Sequence, residues 1–94
     1  MGDILNVKLT RQAIRDLKKV PLYITIKFQA WVEAVGNDGL SNVRKISGFH
    51  DEPLKGRLKG FRSIRLSSAY RAIYIVKKDK LEFIEVQEVN KHDY

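Results

Sequence analysis

Asp51 to Tyr74 reads DEPLKGRLKGFRSIRLSSAYRAIY, and it holds the turn around which a sheet is expected. Phe61 to Leu66 alternates as a strand does, with Arg62 and Ile64 on one face and Ser63 and Arg65 on the other. Ser67-Ser68 supplies a turn. Tyr70 to Val76 is a second run, rich in the aromatic and β-branched residues that suit a pleated surface. Lys77-Lys78-Asp79-Lys80 makes a polar hairpin tip. Leu81 to Val89 is a third strand, with Ile84 and Val86 on one face and Leu81 and Phe83 on the other. Strands in sequence joined by tight turns predict an antiparallel meander.

Upstream, Leu5, Val7 and Leu9 alternate with Asn6 and Lys8, a short strand that can join the sheet edge. Thr10 can cap a helix by accepting an otherwise orphan backbone N–H. Ala13, Ile14, Leu17 and Val20 follow at helical spacing. Pro21 ends or restarts that helix. Leu22, Ile24, Ile26 and Phe28 alternate like a strand, yet Ile24, Phe28, Trp31, Val32 and Val35 form one helical face. The length of the run favours a helix over 21–35. Gly36-Asn37-Asp38-Gly39 is a stop and turn, Leu40 to Lys45 a short third helix, and Ser47 to Gly60 a loop. The expected fold is α+β: an N-terminal helical hairpin packed on a small antiparallel β-sheet, in one domain spanning 1–94.

Composition narrows the class. A hydrophobic fraction of 44% is that of a folded chain rather than a disordered one. There is no Cys, which excludes disulfides and thiolate metal sites. No apolar run nears the roughly 20 residues that span a bilayer. The start, Met1-Gly2-Asp3-Ile4-Leu5, lacks the basic and long apolar stretches of a secretion signal. The expectation is a soluble cytoplasmic protein without a membrane partner. The net charge of +7 is uneven, since residues 43 to 78 carry ten Lys/Arg against only Asp51 and Glu52. A basic middle suits a polyanion or an acidic partner; the plainer alternative is a solvated basic surface.

The motifs exclude as much as they suggest. His50 and His92 stand 42 positions apart and give no zinc spacing, and Gly56 and Gly60 are followed by no Gly-Lys-Ser/Thr, so there is no nucleotide P-loop. Neither metal nor cofactor is expected. Arg65 and Arg71 sit on consecutive strands at positions that a tight hairpin brings together. Two adjacent guanidiniums repel unless an anion lies between them, and guanidinium matches phosphate bidentately. The alternative is that each pairs with Glu82, Glu85 or Glu88 on the next strand. Glu52, held extended by Pro53 and set among Lys55, Lys59 and Arg62, is a candidate general base or a surface ion pair. His92 can give or take a proton near neutrality, and Tyr94 can donate a hydrogen bond or stack on a base. His50 is left without a role, and Phe28 and Trp31 read as core.

Taken together, Glu52-Pro53-Leu54-Lys55, Gly60-Phe61, Ser63-Ile64-Arg65-Leu66, Tyr70-Arg71-Ala72-Ile73-Tyr74 and a tail with His92 and Tyr94 resemble the RelE/ParE superfamily of type II toxin–antitoxin toxins. The resemblance covers essentially the whole chain and is nearest to the YoeB, RelE and HigB branch of ribosome-dependent mRNA endonucleases. It implies a RelE-like fold and metal-independent cleavage of mRNA in the ribosomal A site by attack of a 2′-OH on the adjacent phosphate. Glu52 matches the base, Arg71 the arginine at the phosphate, Arg65 a supporting arginine and Lys55 a nearby lysine. The general acid comes from His92 or Tyr94. Lys59 and Arg62 join Lys55 as candidate phosphate-binding cations. The tail departs from adjacent His-Tyr, because Asp93 is interposed. The resemblance also implies a cognate antitoxin with an acidic, partly disordered segment. A ParE-like inhibitor of DNA gyrase, without nuclease activity, is the rival reading, and a plain RNA-binding module a third.

Overall fold

The computed structural model describes residues 3–91. Its frame is the sheet that the sequence predicts around Ser67-Ser68. Strand β3 (Arg62–Arg65) runs antiparallel to β4 (Tyr70–Lys78), with Arg65 opposite Arg71, Ile64 opposite Ala72 and Arg62 opposite Tyr74. The turn is closed by the Ser67 hydroxyl, which accepts the N–H groups of Ala69 and Tyr70 at 3.1 and 3.2 Å. Strand β5 (Glu82–Lys91) returns antiparallel to β4. Strand β1 (Val7–Leu9) occupies the outer edge beyond β5.

Two features depart from expectation. First, β1 pairs with β5 in parallel, so the sheet is mixed, in the order β1-β5-β4-β3-β2. All three helices lie between β1 and the rest of the sheet in sequence, the long crossover that a parallel pair requires. Second, the region read as loop contains a strand, β2 (Glu52–Pro53), on the opposite edge. Proline is tolerated there because an edge strand leaves N–H positions outside the ladder.

Helix α1 (Arg11–Lys19) begins at Thr10, whose hydroxyl accepts the Ala13 N–H at 3.1 Å. Helix α2 (Leu22–Asp38) takes the helical option for the ambiguous run, burying Ile24, Phe28, Trp31 and Val35 and leaving Leu22 74% exposed. It passes through Gly36 and stops three residues beyond the expected end. The stop falls at Gly39, whose φ of 84° an L side chain adopts only under strain. A Cβ at Gly39 would also strike the Asp3 carboxylate. That carboxylate accepts the N–H and hydroxyl of Ser41, at 3.1 and 2.7 Å, at the start of α3 (Leu40–Val43).

The helices cover one face of the sheet. Trp31 packs on Phe28 and Tyr74, with ring centroids 5.9 and 5.5 Å apart, and Ile64, Ala72, Ile84, Val86 and Val89 complete the core. Val89 would point away from it under strict alternation from Val86. A bulge corrects this: Tyr74 faces Val86 while Ile73 faces Glu88, leaving Gln87 as the extra residue. The bulge is held from α1. The Thr10 hydroxyl donates to the Gln87 carbonyl at 2.7 Å, and the Val89 N–H donates to Asp16 at 3.0 Å.

One hydroxyl thus serves both the helix cap and the bulge. Thr10→Val should lower stability by about 1–3 kcal/mol, the sum of a cap and one further hydrogen bond. Thr10→Ser should lose less than half of that. Urea unfolding midpoints measure both, and a Thr10→Val protein as stable as wild type would show that neither bond matters.

Candidate functional site

The face of the sheet away from the helices carries three of the candidate residues, Glu52, Arg65 and Arg71. Alternation along β3 and β4 turns Ser63, Arg65, Arg71 and Ile73 to that side. Glu52 lies opposite Ser63 on β2 and so faces the same way. Of these, Glu52, Ser63, Arg65 and Arg71 line a pocket of about 40 Å³, together with His50, Ile64, Ser67, Ser68 and Tyr70. It brings together Glu52, Arg65 and Arg71, three of the five candidate catalytic residues. His92 and Tyr94 lie outside the described residues.

Arg65 and Arg71 are directly opposed, which sets their Cβ atoms roughly 4.5–5.5 Å apart. Among the described residues neither pairs with Glu82, Glu85 or Glu88; Glu85 instead meets Lys77 at 3.0 Å. The Gln87 amide and the Lys77 ammonium hold the Glu85 carboxyl below its ordinary range. Arg71 Nε is buried and, among the described residues, has no hydrogen-bond partner. A buried, unpartnered guanidinium N–H is costly unless an acceptor arrives. Such a pair can receive an anion.

Glu52 is not alone either. Its carboxylate lies 3.3 Å from His50 Nε2, with the two side chains 55% and 52% exposed. His50 has a left-handed backbone (φ 47°, ψ 52°), an uncommon conformation for a residue with a Cβ. Nothing in the sequence alone gives His50 a role. Its signal is the spacing of two residues from Glu52; with the left-handed turn at His50, both side chains reach the same pocket.

The expected phosphate-binding trio is divided. Lys55 and Lys59 flank a single 3-10 turn (Gly56–Leu58), exposed and outside the pocket lining. Arg62 belongs to the other face, opposite Tyr74, where its Nε donates to Asp51 at 2.6 Å.

The family model described as ParE toxin of the type II toxin–antitoxin system, parDE, matches residues 7–93. The chain belongs to this toxin family. Solved structures agree in fold. A YoeB/ParE toxin from Agrobacterium tumefaciens superposes with a TM-score of 0.68 at 19% identity, over 94% of this chain and 99% of that one. YafQ from E. coli gives 0.73 at 16% identity, over 93% and 92%. The toxin–antitoxin complex RelBE2 from Mycobacterium tuberculosis gives 0.58 at 26% identity, over 93% and 96%. No curated protein matches the sequence. The superfamily and α+β fold expected from the residues are those found.

In this ParE-family toxin Asp51 forms a second polar cluster beneath the pocket. Its side chain is 1% exposed. Besides Arg62, it accepts the Tyr74 hydroxyl at 2.6 Å. Burial and the bond to Asp51 push the Tyr74 hydroxyl up to about 12, against a smaller opposing pull from Arg44. Burial alone would lower the Arg62 guanidinium; the Asp51 hydrogen bond and charge outweigh it and raise it.

A raised folded-state value stabilises the fold while the unfolded group is still protonated. The Tyr74 contribution is present below pH 10 and is lost as pH rises through about 12. Stability should therefore fall over that window, and more steeply in wild type than in Tyr74→Phe. Urea titrations at alkaline pH test this; parallel declines would rule out the Tyr74 contribution.

Proposed function

We propose that this toxin is a ribosome-dependent mRNA endonuclease that cleaves by attack of a 2′-OH on the adjacent phosphate. The observation that carries the reading is the Arg65–Arg71 pair facing Glu52 in one pocket, with Arg71 Nε unpartnered among the described residues. The RNA phosphate is the missing anion. Glu52 takes the 2′-OH proton as the 2′-oxygen bonds to phosphorus, and the bond from phosphorus to the 5′-oxygen breaks. The departing 5′-oxygen receives a proton from His92 or Tyr94. The products are a 2′,3′-cyclic phosphate and a 5′-OH. Negative charge gathers on the phosphate oxygens in the transition state, so positioned guanidiniums supply the largest share of the acceleration. His50 contacts Glu52 and holds it in the pocket.

The setting follows from charge. A positive middle segment supports binding to RNA on the ribosome, mostly through phosphates. It equally supports a cognate antitoxin whose acidic, partly disordered segment covers the site. Among the described residues no helix is long and apolar enough to cross a membrane. The ribosomal target makes the site of action cytoplasmic.

A second reading has its own support. The matching family model is that of ParE, the branch for which gyrase inhibition is the rival activity. Such an inhibitor has no need of Glu52 facing two arginines.

Primer extension on an mRNA translated in a cell-free system separates the two. Wild type should give ribosome-dependent stops inside codons. Arg71→Ala should lower cleavage by about 10²–10³-fold with the fold intact. Glu52→Gln should lose about 10²–10⁴-fold in cleavage rate and far less in binding. Absence of stops, with loss of DNA supercoiling by gyrase, would replace the nuclease reading with the second one.

A further inference from the structure

The segment leading into the pocket has very little to hold it. Strand β2 is two residues long, and beyond it the Leu54 N–H donates to the Phe61 carbonyl at 2.9 Å. Yet both His50 and Glu52 depend on this segment for their place in the pocket. Between them sits Asp51, pointing the opposite way. Its two carboxylate oxygens are taken separately, Oδ1 by Arg62 Nε and Oδ2 by the Tyr74 hydroxyl, each at 2.6 Å. Phe49, two residues earlier, is buried beneath the Lys27 ammonium, which stands 4.7 Å from its ring. Residues 49 and 51 are thus anchored on the helix side, while 50 and 52 project to the pocket.

We propose that Asp51 is a positioning residue for the site: its bonds to Arg62 and Tyr74 fix the 50–52 backbone, and so hold Glu52 and His50 in the pocket that Arg65 and Arg71 also line. The partners are themselves rigid. Arg62 and Tyr74 face each other across β3 and β4, and Tyr74 is fully buried against Trp31. The left-handed turn at His50 needs such an anchor, since a strained backbone persists only where its surroundings over-determine it. The role is geometric rather than electrostatic, because Asp51 does not line the pocket. Its catalytic consequence rests on the nuclease reading; its structural consequence does not.

Two measurements test it on the intact protein. The first is cleavage on programmed ribosomes. Tyr74→Phe removes one anchor bond with little change of shape and should lower kcat about tenfold. Asp51→Leu removes both and should lower it about 10²-fold, the cost of displacing a reacting group by about 1 Å. In both, KM should stay within about threefold of wild type. Asp51→Asn keeps an acceptor for Arg62 and a polar partner for Tyr74, and should stay within about fivefold in kcat. An Asp51→Asn loss as large as that of Asp51→Leu would overturn the geometric role. The second is the NMR spectrum of the His50 ring, which needs no activity. Glu52→Gln should shift the ring resonances, and Tyr74→Phe should reproduce much of that shift with Glu52 untouched. His50 resonances at wild-type positions in Tyr74→Phe would overturn the proposal. A wild-type protein without nuclease activity whose His50 ring still responds would retire the nuclease reading and leave the positioning role standing.

Discussion

A carboxylate placed in the interior governs how this toxin presents its site. Removing Asp51 from water costs several kcal/mol unless its charge and lone pairs are met. Here they are met twice, by a guanidinium and a phenol on adjacent strands. Such a pair is weak grounds for claiming net stability, since apolar side chains of similar volume often do as well. Its value is directional. An apolar residue at 51 would bury itself in many orientations, whereas two short hydrogen bonds to fixed atoms admit one. That is what a strand of two residues needs if it is to present a carboxylate at a defined point.

The other device is the bulge at Gln87. It lets β5 serve the core with Ile84, Val86 and Val89 although these do not keep a period of two. The same displacement turns Glu88 and Asn90 to the pocket side, opposite Ile73 and Arg71. Thr10 and Asp16 hold the bulge from the helix layer. Both devices act in one direction: contacts on the helix side decide what appears on the pocket side. The thin sheet separates the two faces, and the backbone joins them.

What the sequence revealed follows from range. Strands β3 to β5 and the helical face of α2 were legible because each is a local period with a turn at its end. The Arg65–Arg71 opposition was legible too, because a short turn fixes register. The parallel pairing of β1 was not, since it depends on a crossover of most of the chain. Strand β2 was hidden by brevity, by Pro53 and by a polar residue where alternation leads one to seek an apolar one. His50 was lost with it. Arg62 is the instructive miss. Its alternation with Ile64 already put it on the core side, but counting charge along the chain made it a phosphate ligand. Face outranks charge in such a count, because a cation turned toward a buried carboxylate is spent there.

The interleaving bears on how one fold can carry different activities. RelBE2, YafQ and the YoeB/ParE toxin share this architecture at 16% to 26% identity, so the fold survives wide substitution. In this chain His50, Glu52, Arg65 and Arg71 lie outside the core cluster, while Phe49, Ile64, Leu66 and Ala72 beside three of them lie within it, and Glu52 follows the buried Asp51 carboxylate. Each of these four positions thus follows or precedes a buried residue of the helix side. Exchanging His50, Glu52, Arg65 or Arg71 changes the pocket without opening the core, and exchanging their buried neighbours displaces them. A fold of this kind does not fix its function. It fixes where on the sheet a function can be placed, and here that place holds two arginines opposed with a carboxylate beside them.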